Sequence, residues 1–184
     1  MPFPDSGNFA CLGYSQASGL PFELAMIRNH YVGRTFIQPS QSMRDFSVRV
    51  KINPVRSLIK NKRICIVDDS IVRGTTIRTR VKKLRELGAR EVHMRVACPP
   101  IRFPCFYGID FSSKGELIAA NNPIKDIATF IGLDTLHYLT LDGLLESVNG
   151  GDRWCKACFD GKYPIPVSPE IDKMCLENQI ALSW

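Results

Sequence analysis

The sequence predicts an α/β protein: a parallel sheet with helices packed against it. Three observations carry that reading. Strand-like and helix-like patterns alternate along the chain, which favours strand–helix–strand units. Ile64-Cys65-Ile66-Val67 is a short, wholly apolar run, the pattern of a strand at the centre of a parallel sheet. The segment that follows it carries a helical stripe. Ile77, Val81, Leu84 and Leu87 share one face, and Arg78, Lys82, Lys83 and Arg85 fall outside it.

The elements can be taken in order. Asp5-Ser6 precedes a helix-like stretch to about Ser18, with Gly19 as the stop. Phe22 to Ile27 reads as a strand. Arg28 to Phe46 is polar and aperiodic, a loop long enough to suggest a function of its own. After the apolar strand, Thr75–Leu87 is a helix closed by Gly88. Val92–Ala97 is the next strand, broken by Pro99-Pro100. Helices are expected at Lys114–Ala120, Ile124–Ile131 and Leu141–Val148, with a strand at Thr135–Leu139 between the last two. The division is a domain over 1–148 and an irregular tail over 149–184, rich in Gly, Pro and charge.

The 184 residues are enough for one domain with a real core, and 45% hydrophobic with 23% charged residues is an ordinary globular balance. No run is long and apolar enough to span a membrane, and MPFPDSGNFA lacks the basic start and apolar stretch of a signal peptide, so the expected setting is cytosolic, without a membrane partner. The net charge of +6 is uneven: between Arg28 and Lys83 stand fourteen Lys or Arg against Asp45, Asp68 and Asp69. That imbalance suits a solvated face or an anion site, phosphate above all. No nucleic-acid-binding pattern accompanies it, so a nucleic-acid partner is not expected. Seven cysteines at scattered spacings do not form a secreted disulfide framework. Cys65 and Cys98 read as core residues, and Cys155-Lys-Ala-Cys158 is a C-x-x-C pair.

The chemistry lies in Arg63-Ile-Cys-Ile-Val-Asp-Asp-Ser-Ile-Val-Arg-Gly-Thr-Thr76. Ligands of open α/β sheets bind beyond the carboxyl ends of the strands, which is where Asp68 and Asp69 fall. Successive carboxylates there suit the two cis hydroxyls of a ribose with Mg²⁺ nearby. The turn into the next helix offers free N–H groups and the positive end of the helix dipole to a phosphate. Gly74 lets backbone approach closely. The competing reading of Asp-Asp-Ser is a plain helix cap.

This apolar-run–Asp-Asp-x-x-x-x-Gly-Thr-Thr segment resembles the phosphoribosylpyrophosphate signature of type I phosphoribosyltransferases, and IVDDSIVRGTT resembles the amidophosphoribosyltransferase version of it. PFPDSGNFACLGYSQASGLPFE is similar to that family's pyrophosphate loop, RNHYVGRTFIQPSQSMR to its long closing loop, and RFPCFYGIDFSSKGELIAAN to the stretch after its next strand. The likeness runs from Pro2 to about Tyr163. It covers only the phosphoribosyltransferase part of such an enzyme, without the glutaminase part and without the strand expected to lead into Pro4-Asp5-Ser6, so the type I phosphoribosyltransferase-like fold is expected to be N-terminally truncated.

The resemblance implies formation of 5-phosphoribosylamine from phosphoribosyl pyrophosphate and ammonia, the first step of purine synthesis. Ammonia would come from glutamine through a glutaminase domain or subunit. Other readings are a nucleobase-salvage phosphoribosyltransferase and an inactive or regulatory fragment. It further implies that Asp68 and Asp69 bind the ribose hydroxyls and Mg²⁺, and that Ser70, Ile71, Val72, Arg73, Gly74, Thr75 and Thr76 cradle the 5′-phosphate. Asp5, Ser6 and Gly7 would serve the pyrophosphate, with Ser6 near Mg²⁺. Tyr31, Arg34 and Thr35 would be catalytic residues on the closing loop. Purine nucleotides are the expected inhibitors and a homo-oligomer the expected assembly. Cys105, Cys155 and Cys158 match three ligands of the family's [4Fe–4S] cluster, the fourth lying outside this chain. Zinc or free thiols are the competing uses.

Overall fold

The computed structural model describes residues 1–29, 31, 52–109, 113–149 and 153–166. Five strands are seen there: β1 (Met26–Arg28), β2 (Ile52–Pro54), β3 (Arg63–Asp68), β4 (Glu91–Val96) and β5 (Thr135–Tyr138). The helices are α1 (Asn8–Ser18), α2 (Arg56–Ile59), α3 (Thr75–Glu86), α4 (Ile118–Asn121), α5 (Ile124–Ile131), α6 (Leu141–Ser147) and α7 (Ala157–Asp160). A 3₁₀ turn occupies Lys114–Glu116.

β3, β4 and β5 form the expected parallel sheet, in that order. Its register pairs Ile64 with Val92, Ile66 with Met94 and Met94 with Leu136. Alternate side chains therefore build one continuous apolar face. That face meets Ile77, Val81 and Leu84 of α3 and Ile127 and Ile131 of α5 in a single core. Leu84, Val92, Met94 and Ile127 are fully buried, each contributing about 1.5–3 kcal/mol relative to exposure. The other face is made by Cys65, His93, Arg95, Thr135 and His137. It is held by polar contacts, His93 bonding Thr135 through Nδ1 and Glu91 through Nε2, both at 3.0 Å. β4 thus alternates buried and half-buried residues, and Cys65 and Cys98 are half-buried rather than core residues.

The first three residues extend the sheet. Pro2 bridges Val67 in parallel, Phe3 N donates to Val67 O at 2.9 Å, and Val67 N donates to Met1 O at 3.0 Å. The last rung of the strand leading into Pro4-Asp5-Ser6, expected to be missing, is therefore present. The Pro4–Asp5 peptide is cis. α1 begins directly after this turn and lies against β3, with Cys11 buried beneath it.

Several boundaries depart from expectation. The strand expected over Phe22–Ile27 is confined to Met26–Arg28, which pairs with β2 in an antiparallel ribbon, Met26 against Pro54 and Arg28 against Ile52. This ribbon brackets the expected closing loop, of which Arg34 and Thr35 and most other residues lie outside the described ones. The helix expected over Lys114–Ala120 is split into the 3₁₀ turn and α4, because Leu117 at their junction has extended backbone and is buried. The tail, expected to be irregular, contains the helical turn α7 among its described residues.

Candidate phosphoribosyl-donor site

The site is built where three backbone paths converge at the carboxyl end of β3. β3 delivers Asp68, and the chain then turns through Asp69–Gly74 into α3. Ile71, 1% exposed, pins the middle of the turn into the core. Val72 O accepts from Ile118 N at 2.9 Å, and Arg73 Nη2 pairs with Glu116 Oε1 at 2.8 Å, so the outer wall of the turn is tied to the segment before α4. Gly74 is the N-cap of α3 at φ +74°, a left-handed conformation costly for other residues. With no side-chain cap on α3, its first N–H groups face outward and Thr75 and Thr76 are exposed beside them. That is an anion cradle by geometry.

The second path is Asp5–Gly7. Gly7 is buried so closely against β3 that a Cβ there would lie 2.4 Å from Val67 O and 3.0 Å from Phe3 O. The absence of a side chain thus lets the turn sit on the strand end. Gly7 N donates to Phe3 O at 3.0 Å, and Ser6 Oγ donates to Asp68 Oδ1 at 3.2 Å, joining segments 62 residues apart. Asp5 is tied sideways, its Oδ2 accepting from Arg28 Nη1 at 2.7 Å.

The two acids differ. Asp69 is exposed, and its Oδ1 accepts from Ser70 N at 2.7 Å. Asp68 is 6% exposed, and its Oδ1 accepts from Asp69 N at 3.0 Å. Burial first, then the neighbouring charge of Asp69, pushes the Asp68 carboxyl up to about 7. The bonds from Ser6 Oγ and Asp69 N both fall on Oδ1, and among the described residues no three His, Cys, Asp or Glu groups converge on a metal position. Mg²⁺ suits such a place, since it keeps several waters and is held by one or two carboxylates together with substrate phosphates.

Sequence-expected residues Asp5, Ser6, Gly7 and Asp68–Thr76 are therefore brought together. Tyr31 is not: its side chain is fully exposed, and its N–H bonds Asn29 Oδ1 at 3.0 Å. Three residues near the site were not read as site residues from the sequence. Arg28 partners Asp5, Arg80 sits under the site, and Cys98 follows β4 at the same sheet edge. Burial, then the charge of Asp69, pushes the Cys98 thiol up to about 12. For Cys98 the available signal was its position at a strand's carboxyl end.

The expected cluster ligands lie in a separate neighbourhood. Arg102 N and Phe103 N both donate to Cys158 O, at 2.9 and 3.1 Å, which clasps the turn carrying Cys105 to α7. Tyr163 Oη donates to Pro104 O at 2.8 Å, and its ring is 5.2 Å from that of Phe106. Burial raises the Cys158 thiol, with the Cys105 and Cys155 thiolates as further unfavourable neighbours. Thiols are soft ligands of the kind an iron–sulfur group takes, but the three do not converge on a common metal position in this structure.

The fold is of the type I phosphoribosyltransferase kind. No family model matches the chain. It is 51% identical over 181 residues to an amidophosphoribosyltransferase of Synechococcus elongatus, covering 97% of this chain and 37% of that protein. Against the Archaeoglobus fulgidus enzyme of that name the identity is 52% over 170 residues, 91% of this chain and 37% of the relative. In structure it is similar to glutamine phosphoribosylpyrophosphate amidotransferase from Bacillus subtilis, solved with ADP and GMP: TM-score 0.79, 49% identity, 92% of this chain and 38% of that one. The chain is similar to one part of the amidophosphoribosyltransferases and spans a little over a third of the relatives' length. No helix among the described residues is long and apolar enough to cross a membrane.

Proposed function

We propose that this chain transfers the phosphoribosyl group of phosphoribosyl pyrophosphate to ammonia, giving 5-phosphoribosylamine, pyrophosphate and a proton, the opening step of purine nucleotide synthesis in the cytosol. The observation that carries the reading is the convergence of the Gly7 turn and the Asp68–Thr76 turn on one strand end. A phosphate cradle and a pair of sugar-binding acids stand side by side there.

Ammonia needs no activation as a nucleophile. The barrier lies in breaking the C1–O bond, which leaves positive charge on the sugar and negative charge on the leaving pyrophosphate. Catalysis then rests on positioning and electrostatics. The α3 N-terminus and the Ser70–Thr76 backbone hold the 5′-phosphate. Asp68 and Asp69 orient the ribose hydroxyls, and their charge favours the cationic sugar of the transition state. The Asp5–Gly7 turn receives the pyrophosphate. Mg²⁺, when bound by Ser6, Asp68 or Asp69 with the donor, neutralises leaving-group charge. The segment bracketed by β1 and β2, with Tyr31, Arg34 and Thr35, would exclude water from C1.

In the same reading ammonia is supplied by a glutaminase domain or subunit, and purine nucleotides inhibit. The nucleotide reading is supported by the ADP and GMP named with the Bacillus subtilis relative. The assembly would be a homo-oligomer, and Cys105, Cys155 and Cys158 would supply three thiolates to a [4Fe–4S] cluster. The test is pyrophosphate release by this chain from donor, Mg²⁺ and ammonium. Release should require ammonia, should not be replaced by free purine bases, and should fall roughly 10- to 100-fold for Asp69→Asn, the loss of one charged hydrogen bond. Base-dependent but ammonia-independent release would instead identify a salvage enzyme, and absence of donor binding would end the proposal.

A further inference from the structure

Beneath the site lies a cation that the reading above leaves unused. Arg80 stands on the inward side of α3, and its guanidinium lies 4.9 Å from the centroid of the Phe3 ring. Phe3 is fully buried and central to the clasp: its N–H is held by Val67 O, and its carbonyl holds Gly7 N. Arg80 also faces two charges of the site. The Asp68 carboxylate attracts it and Arg28, the partner of Asp5, repels it, while burial disfavours its charge. A half-buried guanidinium without a gain from its surroundings is costly. Here the compensation comes from the Phe3 ring and from the charge of Asp68.

Among the described residues Arg80 makes no hydrogen bond to Asp68, whose Oδ1 is taken by Ser6 and Asp69. Arg80 therefore attracts the carboxylate through space without taking up its hydrogen-bonding capacity.

We propose that Arg80 is a positioning residue for the donor site: a countercharge seated under Asp68 that keeps its carboxylate aimed at the ribose and metal, while its stack on Phe3 holds the Asp5–Gly7 turn on the strand end. The inference rests on the donor reading of the site. It divides into a charge effect on Asp68 and a packing effect on Phe3, and the two are separable by substitution.

The experiment measures binding of phosphoribosyl pyrophosphate with Mg²⁺ to the whole chain by calorimetry, with thermal unfolding alongside. Arg80→Met keeps the apolar stem and removes the charge. It should weaken donor binding about tenfold, the scale of one charge interaction near a protein surface. Arg80→Lys, which restores the charge, should recover most of that loss. Phe3→Leu removes the ring but keeps the countercharge, and should lower the unfolding midpoint with less effect on affinity. Unchanged donor affinity in Arg80→Met would overturn the inference while leaving the donor reading intact. Equal losses in Arg80→Met and Arg80→Lys, tracking the unfolding midpoint, would reduce Arg80 to a packing residue. A wild-type chain that binds no donor would remove the donor reading and the inference together.

Discussion

At the carboxyl end of β3 the site is written mostly in consecutive residues, Asp68 to Thr76. Around Cys105 the thiols come from two segments joined through space, as when Tyr163 reaches Pro104 across 59 residues. The first region is fixed from below, by Ile71 in the core and by strand hydrogen bonds. The second is fixed from the side, by two N–H bonds to Cys158 O, the hydroxyls of Tyr163 and Tyr107, and ring contacts. The first should therefore share the global stability of the sheet, and the second should open on its own at lower cost.

The largest effect that could break this comparison belongs to Gly7→Val. Its Cβ would meet the Val67 carbonyl at 2.4 Å, so backbone must move. Donor binding should be lost and stability should fall by about 3 kcal/mol or more, beyond ordinary overpacking of side chains. Calorimetry and chemical denaturation measure both. A variant with normal donor affinity would show that the turn does not depend on its seat on β3.

Next in size is a pH effect at Asp68. The folded carboxyl holds its proton to about pH 7 against 3.8 when unfolded. The folded state then binds more protons between those values, and stability present below pH 3.8 is lost as pH rises through 7, by at most about 4 kcal/mol. Asp68→Asn should flatten that profile and make the ligand-free protein more stable than wild type at pH 8. Donor and Mg²⁺ should stabilise the wild type and not this variant. Parallel pH profiles for the two proteins would mean that Asp68 is better solvated than its burial indicates.

In the cysteine region the effects should be smaller and local. Gly161 closes α7 at φ +75°, and a Cβ there would touch the Phe103 ring at 3.0 Å. Gly161→Ala should cost about 1–2 kcal/mol for the left-handed backbone alone. It should raise amide exchange at residues 102–107 and 157–163 and reduce iron bound after anaerobic reconstitution of a protein that supplies a fourth cysteine. Donor affinity should not change, and if it does the two regions are coupled. Tyr163→Phe removes one hydrogen bond, worth about 0.5–1.5 kcal/mol, and should be visible only in exchange at Phe103–Tyr107.

Legibility in the sequence followed the same division. The α3 stripe was readable because Ile77, Val81 and Leu84 repeat at the helical period, and all three are buried. The bounds of α5 were readable from its periodicity between Pro123 and Gly132. The strand expected over Phe22–Ile27 pairs only from Met26, because Phe22, Glu23 and Leu24 form no ladder and burial of Ala25 and Met26 rather than period decides where pairing begins. The helix expected over Lys114–Ala120 is interrupted because a buried Leu117 breaks a run with helical composition. Asp68 and Asp69 were readable as a pair, but their division into a buried and an exposed acid was not.

The sequence alone determined the parallel α/β class, the strand–Asp-Asp–turn–helix unit and the phosphate-compatible start of α3. Each of these is set by short-range pattern: side-chain period, glycine at a left-handed position, acids next to an apolar run. Only the tertiary structure decided that Gly7 is pressed onto Val67, that Ser6 reaches Asp68, that Arg80 stacks on Phe3 within the field of Asp68, and that Cys105 is clasped to α7. Those depend on which surfaces bury one another. Burial is a property of the folded packing rather than of any local window of residues.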